Sequence, residues 1–254
     1  MRILLTNDDG IDAPGLSVLR EIANQLSDDV WTVAPATDQS GIGHALTLSH
    51  PLRIRDTGPQ SFAVTGTPAD CVIVAVRSLL PDPPDLVLSG INLGQNIADD
   101  VVYSGTIGGA MEAAMMGLRS AAVSQAYRRD ADNLTVPWDN CRSALPDLLR
   151  SLLDIRLSDP TFLNINVPAT DRVRGVRICR QGTVAHSLET EERADGRGKP
   201  YHWLRFGRGV PEAQPGSDLD ALAHGFVSVT PLHTDMTAHA DLPALEEKFG
   251  PVGE

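Results

Sequence analysis

Apolar residues fall into two recurring patterns along this chain: short unbroken runs, and stretches spaced every three or four positions. Ile3-Leu4-Leu5 is the first run. It lacks the alternation of a strand with one wet face, so it predicts an interior strand covered on both sides, as in a parallel sheet. Asp12 and Pro14 then predict a helix start with proline near its first position. Leu16, Leu19, Ile22, Ala23 and Leu26 carry that helix on at helical spacing. Residues 30–35 read as a second strand, and residues 45–64 as short strands or a hairpin. Thr67-Pro68 opens another helix, with Val72, Ala75, Val76 and Leu79 on its inner face. Residues 85–90 give a third strand ending in a turn.

A loop rich in Gly, Asn and Asp leads to Ser104-Gly105-Thr106, where a helix is expected to run to about Gly117. Residues 121–124 predict a strand, 138–153 a helix, and 162–167 and 176–179 two later strands. The alternation predicts an α/β protein: a three-layer, Rossmann-like fold around a largely parallel sheet. Beyond this core, residues 189–200 are charged and glycine-bearing, which suits an exposed arm, a loop or a hairpin tip. Residues 201–204 suggest the returning strand, 225–232 another strand, and 242–249 a short terminal helix. An arm of this kind serves either as an oligomer contact or as a plain exposed loop.

In a parallel sheet, the loops after the first three strands emerge at one edge. They bring Asp8 and Asp9, then Ser40, then Asn92. Two adjacent carboxylates repel, so enclosing both requires a cation, a proton or a basic partner. The plain alternative is a turn with a helix cap. Two carboxylates, a hydroxyl and an amide oxygen form a hard, all-oxygen set that suits Mg²⁺ or Mn²⁺. Residues 103–110, Tyr-Ser-Gly-Thr-Ile-Gly-Gly-Ala, add a helix start flanked by small and hydroxyl side chains, which is either an anion site or a serine cap with glycines for close packing. It is neither a Walker A loop nor a dinucleotide fingerprint. A cation site and an anion site on one sheet edge point to a phosphate ester.

Composition narrows the partners. Of 254 residues, 33 are acidic and 21 basic, and the net charge of −12 argues against gripping long nucleic acid through its phosphates. A small phosphorylated substrate needs only local donors or a metal. Hydrophobic residues make up 42%, enough for a sizeable core, yet no apolar stretch reaches the length of about 18 residues needed to span a membrane. Asn7-Asp8-Asp9 interrupts any signal-peptide pattern. Cys71, Cys141 and Cys179 are odd in number and widely spaced, as expected of reduced core thiols rather than a disulfide framework. These features predict a cytoplasmic protein. The seven histidines show no metal-binding spacing. His44 follows the Ser40 loop and is a candidate general acid, or else a residue that holds the loop.

The stretches Leu5-Thr6-Asn7-Asp8-Asp9-Gly10, Ala34-Pro35 through Ser40-Gly41 and His44, and Thr65-Gly66-Thr67-Pro68-Ala69-Asp70-Cys71-Val72 closely resemble the SurE family of stationary-phase survival proteins. So do Ser89-Gly90-Ile91-Asn92-Leu93-Gly94-Gln95-Asn96 and Val102-Tyr103-Ser104-Gly105-Thr106. The resemblance runs in order to about residue 125. It resumes at Asn164-Ile165-Asn166-Val167-Pro168 and from Ser217-Asp218 to Ser228-Val229-Thr230-Pro231-Leu232. It implies a metal-dependent phosphomonoesterase that hydrolyses nucleoside 5′-monophosphates to nucleoside and phosphate, with 3′-nucleotides and short polyphosphate as further substrates. By motif, Asp8, Asp9, Ser40 and Asn92 would hold one Mg²⁺ or Mn²⁺ per subunit, Asp8 and Asp9 being the catalytic pair. Asn96, Ser104, Gly105 and Thr106 would surround the phosphate. An aspartate nucleophile in place of water is the mechanistic alternative, and a non-catalytic nucleotide- or metal-binding regulator the functional one.

The resemblance also implies one domain over residues 1–254. Residues 1–125 form its site-bearing Rossmann-like part and 126–180 the rest of the core. Residues 181–254 supply an arm and a C-terminal segment exchanged between subunits of a homodimer or homotetramer. Ala98 stands where the family usually has glycine, so a different local backbone is expected there. Asp99 and Asp100 are expected near the site, tuning metal affinity without acting as ligands.

Overall fold

Ile3 and Leu5 project to one face of the first strand, β1 (Arg2–Thr6), Leu4 projects to the other, and all three are fully buried. The structure, a computed structural model, describes residues 1–130, 133–158, 160–184, 186–208 and 213–250. The chain continues through α1 (Pro14–Ala23), β2 (Asp29–Pro35), β3 (Ile54–Gly58), β4 (Ser61–Val64), α2 (Pro68–Val74), β5 (Leu86–Leu93), α3 (Gly105–Met115) and β6 (Ser120–Gln125). A small hairpin of β7 (Arg128–Asp130) and β8 (Asn133–Thr135) precedes α4 (Trp138–Leu153), β9 (Thr161–Val167) and β10 (Val176–Ile178). The arm strands β11 (His186–Ala194) and β12 (Pro200–Arg208) follow, then α5 (Asp218–Ala223), β13 (Val227–His233) and α6 (Leu242–Phe249).

Nine strands form one sheet in the order β10-β13-β9-β6-β5-β1-β2-β4-β3. Neighbours from β9 across to β4 run parallel. On the flanks, β3 pairs antiparallel with β4 and β13 antiparallel with β9, while β10 runs parallel to β13. The chain builds outward from β1 through β2 and β4, then returns to lay β5, β6 and β9 on the other side. The reversal falls between β1 and β5, the switch point where an open α/β sheet leaves a crevice beyond its carboxyl ends.

Helices cover both faces. On one, Leu16, Leu19 and Ile22 of α1 and Leu145 and Leu149 of α4 pack on Ile3, Leu5, Leu88 and Ile165. On the other, Cys71 and Val72 of α2 meet Leu4, Val33 and Val87, and Ile107 and Ala110 of α3 meet Ala122 and Phe162. The result is the expected three-layer, Rossmann-like α/β fold with a largely parallel sheet. Among the described residues no helix is long and apolar enough to cross a membrane. All three cysteines are free and buried.

Several local features differ from the sequence reading, the unpredicted β7–β8 hairpin among them. Helix α1 stops at Ala23, and the next residues close short turns, with Gln25 N–H donating to Ile22 O and Leu26 N–H to Ala23 O. Strand β5 does not turn at Gly90 but continues to Leu93 through a bulge between Ser89 and Asn92. Helix α5 had no sequence prediction. The arm is a hairpin, β11 pairing antiparallel with β12 as a separate two-stranded sheet. Of the segment expected to be exchanged between subunits, residues 185, 209–212 and 251–254 lie outside the described residues.

Candidate active site

The turn after β1 sets Asp8 and Asp9 at the switch point. Asn7 Nδ2 donates to Gly10 O at 2.9 Å to close it, and Gly10 adopts φ of +101°, where a Cβ is strained. Ser40 arrives on the loop after β2, which Gln39 N–H ties back to Asp8 O at 2.8 Å. Asn92 comes not from a following loop but from β5 itself, downstream of the bulge; such irregularities re-aim side chains at sheet ends. Asp8, Asp9, Ser40, Asn92, Asn96 and Ser104 line one cleft of about 280 Å³, together with Leu93, Gly94, Asp100, Tyr103 and Tyr127.

Gly105 and Thr106 lie behind the cleft wall. Ser104 caps α3, its Oγ accepting from Ile107 N–H at 3.1 Å. The first turn of α3 abuts Asp8 so closely that a Cβ on Gly105 would stand 2.8 Å from Asp8 Cβ and 3.0 Å from Asp8 Oδ2. Thr106 is fully buried and its hydroxyl donates to Asp8 Oδ1 at 2.5 Å. Its hydroxyl thus acts on the carboxylate at the edge of the cleft. Of the two roles considered for His44, its geometry favours holding the loop: it is bonded to Glu112 Oε2 at 2.7 Å and fastens the Ser40 loop to α3. Asp99 turns away from the cleft and accepts from Val184 N–H at 2.7 Å.

Burial pushes the Asp8 carboxyl up to about 6 from its ordinary 3.8; the Thr106 bond opposes this and the Asp9 charge adds to it. Asp9 is also raised, by burial first, against the bond from Leu93 N–H and with the Asp38 charge. The corner thus carries more negative charge than its protein neighbours neutralise. Among the described residues no group of three or more His, Cys, Asp or Glu side chains has the arrangement to hold a metal. The cation-binding capacity rests on the mixed oxygen set. In that set each side chain uses one polar atom on the protein. Asp8 accepts from Thr106 through Oδ1, Asp9 accepts from Leu93 N–H through Oδ2 at 3.2 Å, and Ser40 Oγ donates to Asp38 at 2.7 Å. Asn92 Nδ2 donates to Gly94 O at 2.8 Å. An oxygen of each carboxylate, the serine lone pairs and Asn92 Oδ1 remain for a further partner. Oriented, oxygen-only and anionic, the set fits a hard divalent cation.

Sequence reasoning missed the residues that hold Asn96. Asn166 Oδ1 accepts from Asn96 N–H at 2.8 Å, and Asn164 Nδ2 and Asn166 Nδ2 donate to Asn96 O at 2.8 and 3.1 Å. Asn96 Nδ2 in turn donates to Ser124 Oγ at 3.0 Å. A signal existed: two asparagines inside the otherwise apolar strand β9 are both fully buried, and buried amides need partners.

A doubly wound α/β fold with an acidic cleft at its switch point defines the general class. Within it, the family model described as Survival protein SurE matches residues 3–187. The chain is 52% identical to the 5′-nucleotidase SurE of Brucella anthropi over 254 residues, covering 99% of this chain and 98% of that one. It is 54% identical to the 5′-nucleotidase SurE of Brucella canis over 241 residues, 94% of each. The crystal structure of the SurE protein from Aquifex aeolicus superposes with a TM-score of 0.82 at 36% identity, covering 97% of this chain and 99% of that one. The chain belongs to the SurE family.

Proposed function

We propose that this protein is a 5′-nucleotidase, a metal-dependent phosphomonoesterase that converts nucleoside 5′-monophosphates to nucleoside and phosphate. One observation carries the reading: the four oxygen side chains and the start of α3 meet in a single cleft, in a chain more than half identical over nearly its whole length to proteins named for that activity. Asp8, Asp9, Ser40 and Asn92 would hold one Mg²⁺ or Mn²⁺ per subunit. When bound, the cation supplies a Lewis acid for the phosphoryl oxygens and neutralises the paired carboxylates.

The chain's own residues do the rest. Asn96 offers the second hydrogen of its amide, and Ser104 its hydroxyl, to the phosphate. The N-terminus of α3 presents its positive end behind them. Thr106 holds Asp8 in place, and the Gly105 backbone permits the close approach. Tyr103, Tyr127 and Leu93 give the same cleft an apolar side toward which the nucleoside extends. Asp8 and Asp9 act on the cation and not as nucleophiles, because the oxygen each leaves free is the one that would bind the cation.

The decisive assay is release of inorganic phosphate from AMP by the purified protein. Turnover in Mn²⁺ that EDTA abolishes is expected. Binding of AMP without phosphate release in Mn²⁺ would instead identify a regulator. The same assay with 3′-AMP and tripolyphosphate tests the wider substrate range. We further propose a cytoplasmic homodimer or homotetramer. Buried, unpaired cysteines fit a reducing compartment. The arm exposes Tyr201, Trp203 and Leu204, apolar surface suited to a second subunit.

A further inference from the structure

Asp218 lies far in sequence from the cleft and opens α5, yet its carboxylate reaches the loop that forms one cleft wall. It is fully buried and accepts backbone N–H groups from three segments. Oδ2 takes Ala98 N–H at 2.9 Å, while Oδ1 takes Gly182 N–H and Leu219 N–H, each at 2.9 Å. Approach on the Gly182 side is so close that a Cβ there would stand 2.9 Å from Oδ1.

The residue held is unusual in its own right. Ala98 sits between the cleft residues Asn96 and Asp100 with φ of +52°, a left-handed conformation that side chains other than glycine rarely adopt. Alanine here adopts the left-handed conformation that glycine favours, and it is held there from both sides. Its N–H goes to Asp218, and its carbonyl accepts from Gln181 Nε2 at 2.9 Å. Asp99 then accepts Val184 N–H, and Ile97 and Ala98 pack with Val184 and Leu219 in a small separate cluster. Residues 181–184 lead directly into the arm.

We propose that Asp218 is a positioning residue for the reaction in the cleft. With Gln181, it locks residues 97–99 in a strained turn that presents Asn96 to substrate, and it joins that turn to the root of the arm. The kinetic part of this proposal rests on the nucleotidase reading; the structural part does not.

Asp218→Asn is the discriminating variant. An asparagine that keeps its single oxygen toward Gly182 and Leu219 must turn its NH₂ toward Ala98 N–H, donor against donor, so only the tie to the cleft loop is broken. The loop should loosen while the cation set stays intact. Losing one charge-assisted bond predicts a KM for AMP raised about tenfold, with kcat and the half-saturating Mn²⁺ concentration changed less than about threefold. Amide exchange across residues 96–100 should quicken by about tenfold. Gln181→Ala, an exposed site that does not threaten folding, should raise KM in the same sense by about threefold. If Asp218→Asn does not fold, that variant decides the matter. Unchanged exchange and KM in folded variants would overturn the proposal. So would a Mn²⁺ requirement that rises in step with KM, because Asp218 would then support the whole cleft. Absence of phosphate release by the unmodified protein would sink the nucleotidase reading alone, and amide exchange would still decide whether the tie exists.

Discussion

Asp8→Asn separates the demands of function from those of folding. In the metal-free protein the buried Asp8 carboxyl is pushed from 3.8 to about 6. The folded state therefore holds its proton more tightly than the unfolded chain does. Stability from this group is complete below pH 3.8 and is lost as the pH rises through about 6. At about 1.4 kcal/mol per pH unit, the interval amounts to about 3 kcal/mol by pH 8. Asparagine is isosteric, keeps an acceptor for Thr106 and carries no charge, so the variant should recover most of that amount. For a domain of this size, about 3 kcal/mol raises the midpoint by about 6–12 °C. Thermal unfolding in EDTA at fixed protein concentration should show the variant more stable than the parent at pH 8, with the gap closing toward pH 4. Adding Mn²⁺ should stabilise the parent alone, and phosphate release should be lost in the variant. A variant no more stable than the parent at pH 8 in EDTA, or a gap indifferent to pH, would refute the reasoning.

Thr106→Val removes the hydroxyl that holds Asp8 and should cost about 1.5–3 kcal/mol of carboxylate orientation, read as weaker Mn²⁺ activation; Thr106→Ser should retain near-parental activation. Gly105→Ala inserts a methyl 2.8 Å from Asp8 Cβ and should cost about 1–3 kcal/mol in urea unfolding together with most of the activity. Activity equal to the parent's would mean that Asp8 is free to move. Deleting residues 190–199 removes the hairpin tip, which stabilises itself poorly, and light scattering should report a smaller assembly.

Most of the layer structure was legible because it is local. The unbroken run at β1 and the helical spacing of α1 each carry their own signal, and α4 and α6 occupy the expected spans. The two aspartates were legible as a pair because adjacent carboxylates after an interior strand pose an electrostatic problem. What escaped depends on long-range contacts. Gly90 reads as a turn, whereas the bulge that carries Asn92 forward depends on pairing with β6. Asp218-Leu219-Asp220-Ala221-Leu222-Ala223 is too short for periodicity to mark a helix. Thr106 shows a hydroxyl near a helix start, and only the abutment of the first turn of α3 on the Asp8 turn directs that hydroxyl to Asp8.

The fastening of Ala98 to Asp218 spans 120 positions, and that of Asn96 to Asn166 spans 70. Every side chain lining the cleft has been synthesised by Tyr127, but the groups that set its far wall are added much later. A nascent chain stalled near the middle would hold the full complement of cleft residues and still lack a formed substrate wall. Closing such distant contacts is slow, because the entropy of the intervening loop is lost before the contact forms. Competence should therefore appear late, with release of the finished chain, and C-terminal truncations should lack turnover. A gain of activity that follows completion of the chain, rather than formation of the early sheet, is the kinetic signature of this arrangement.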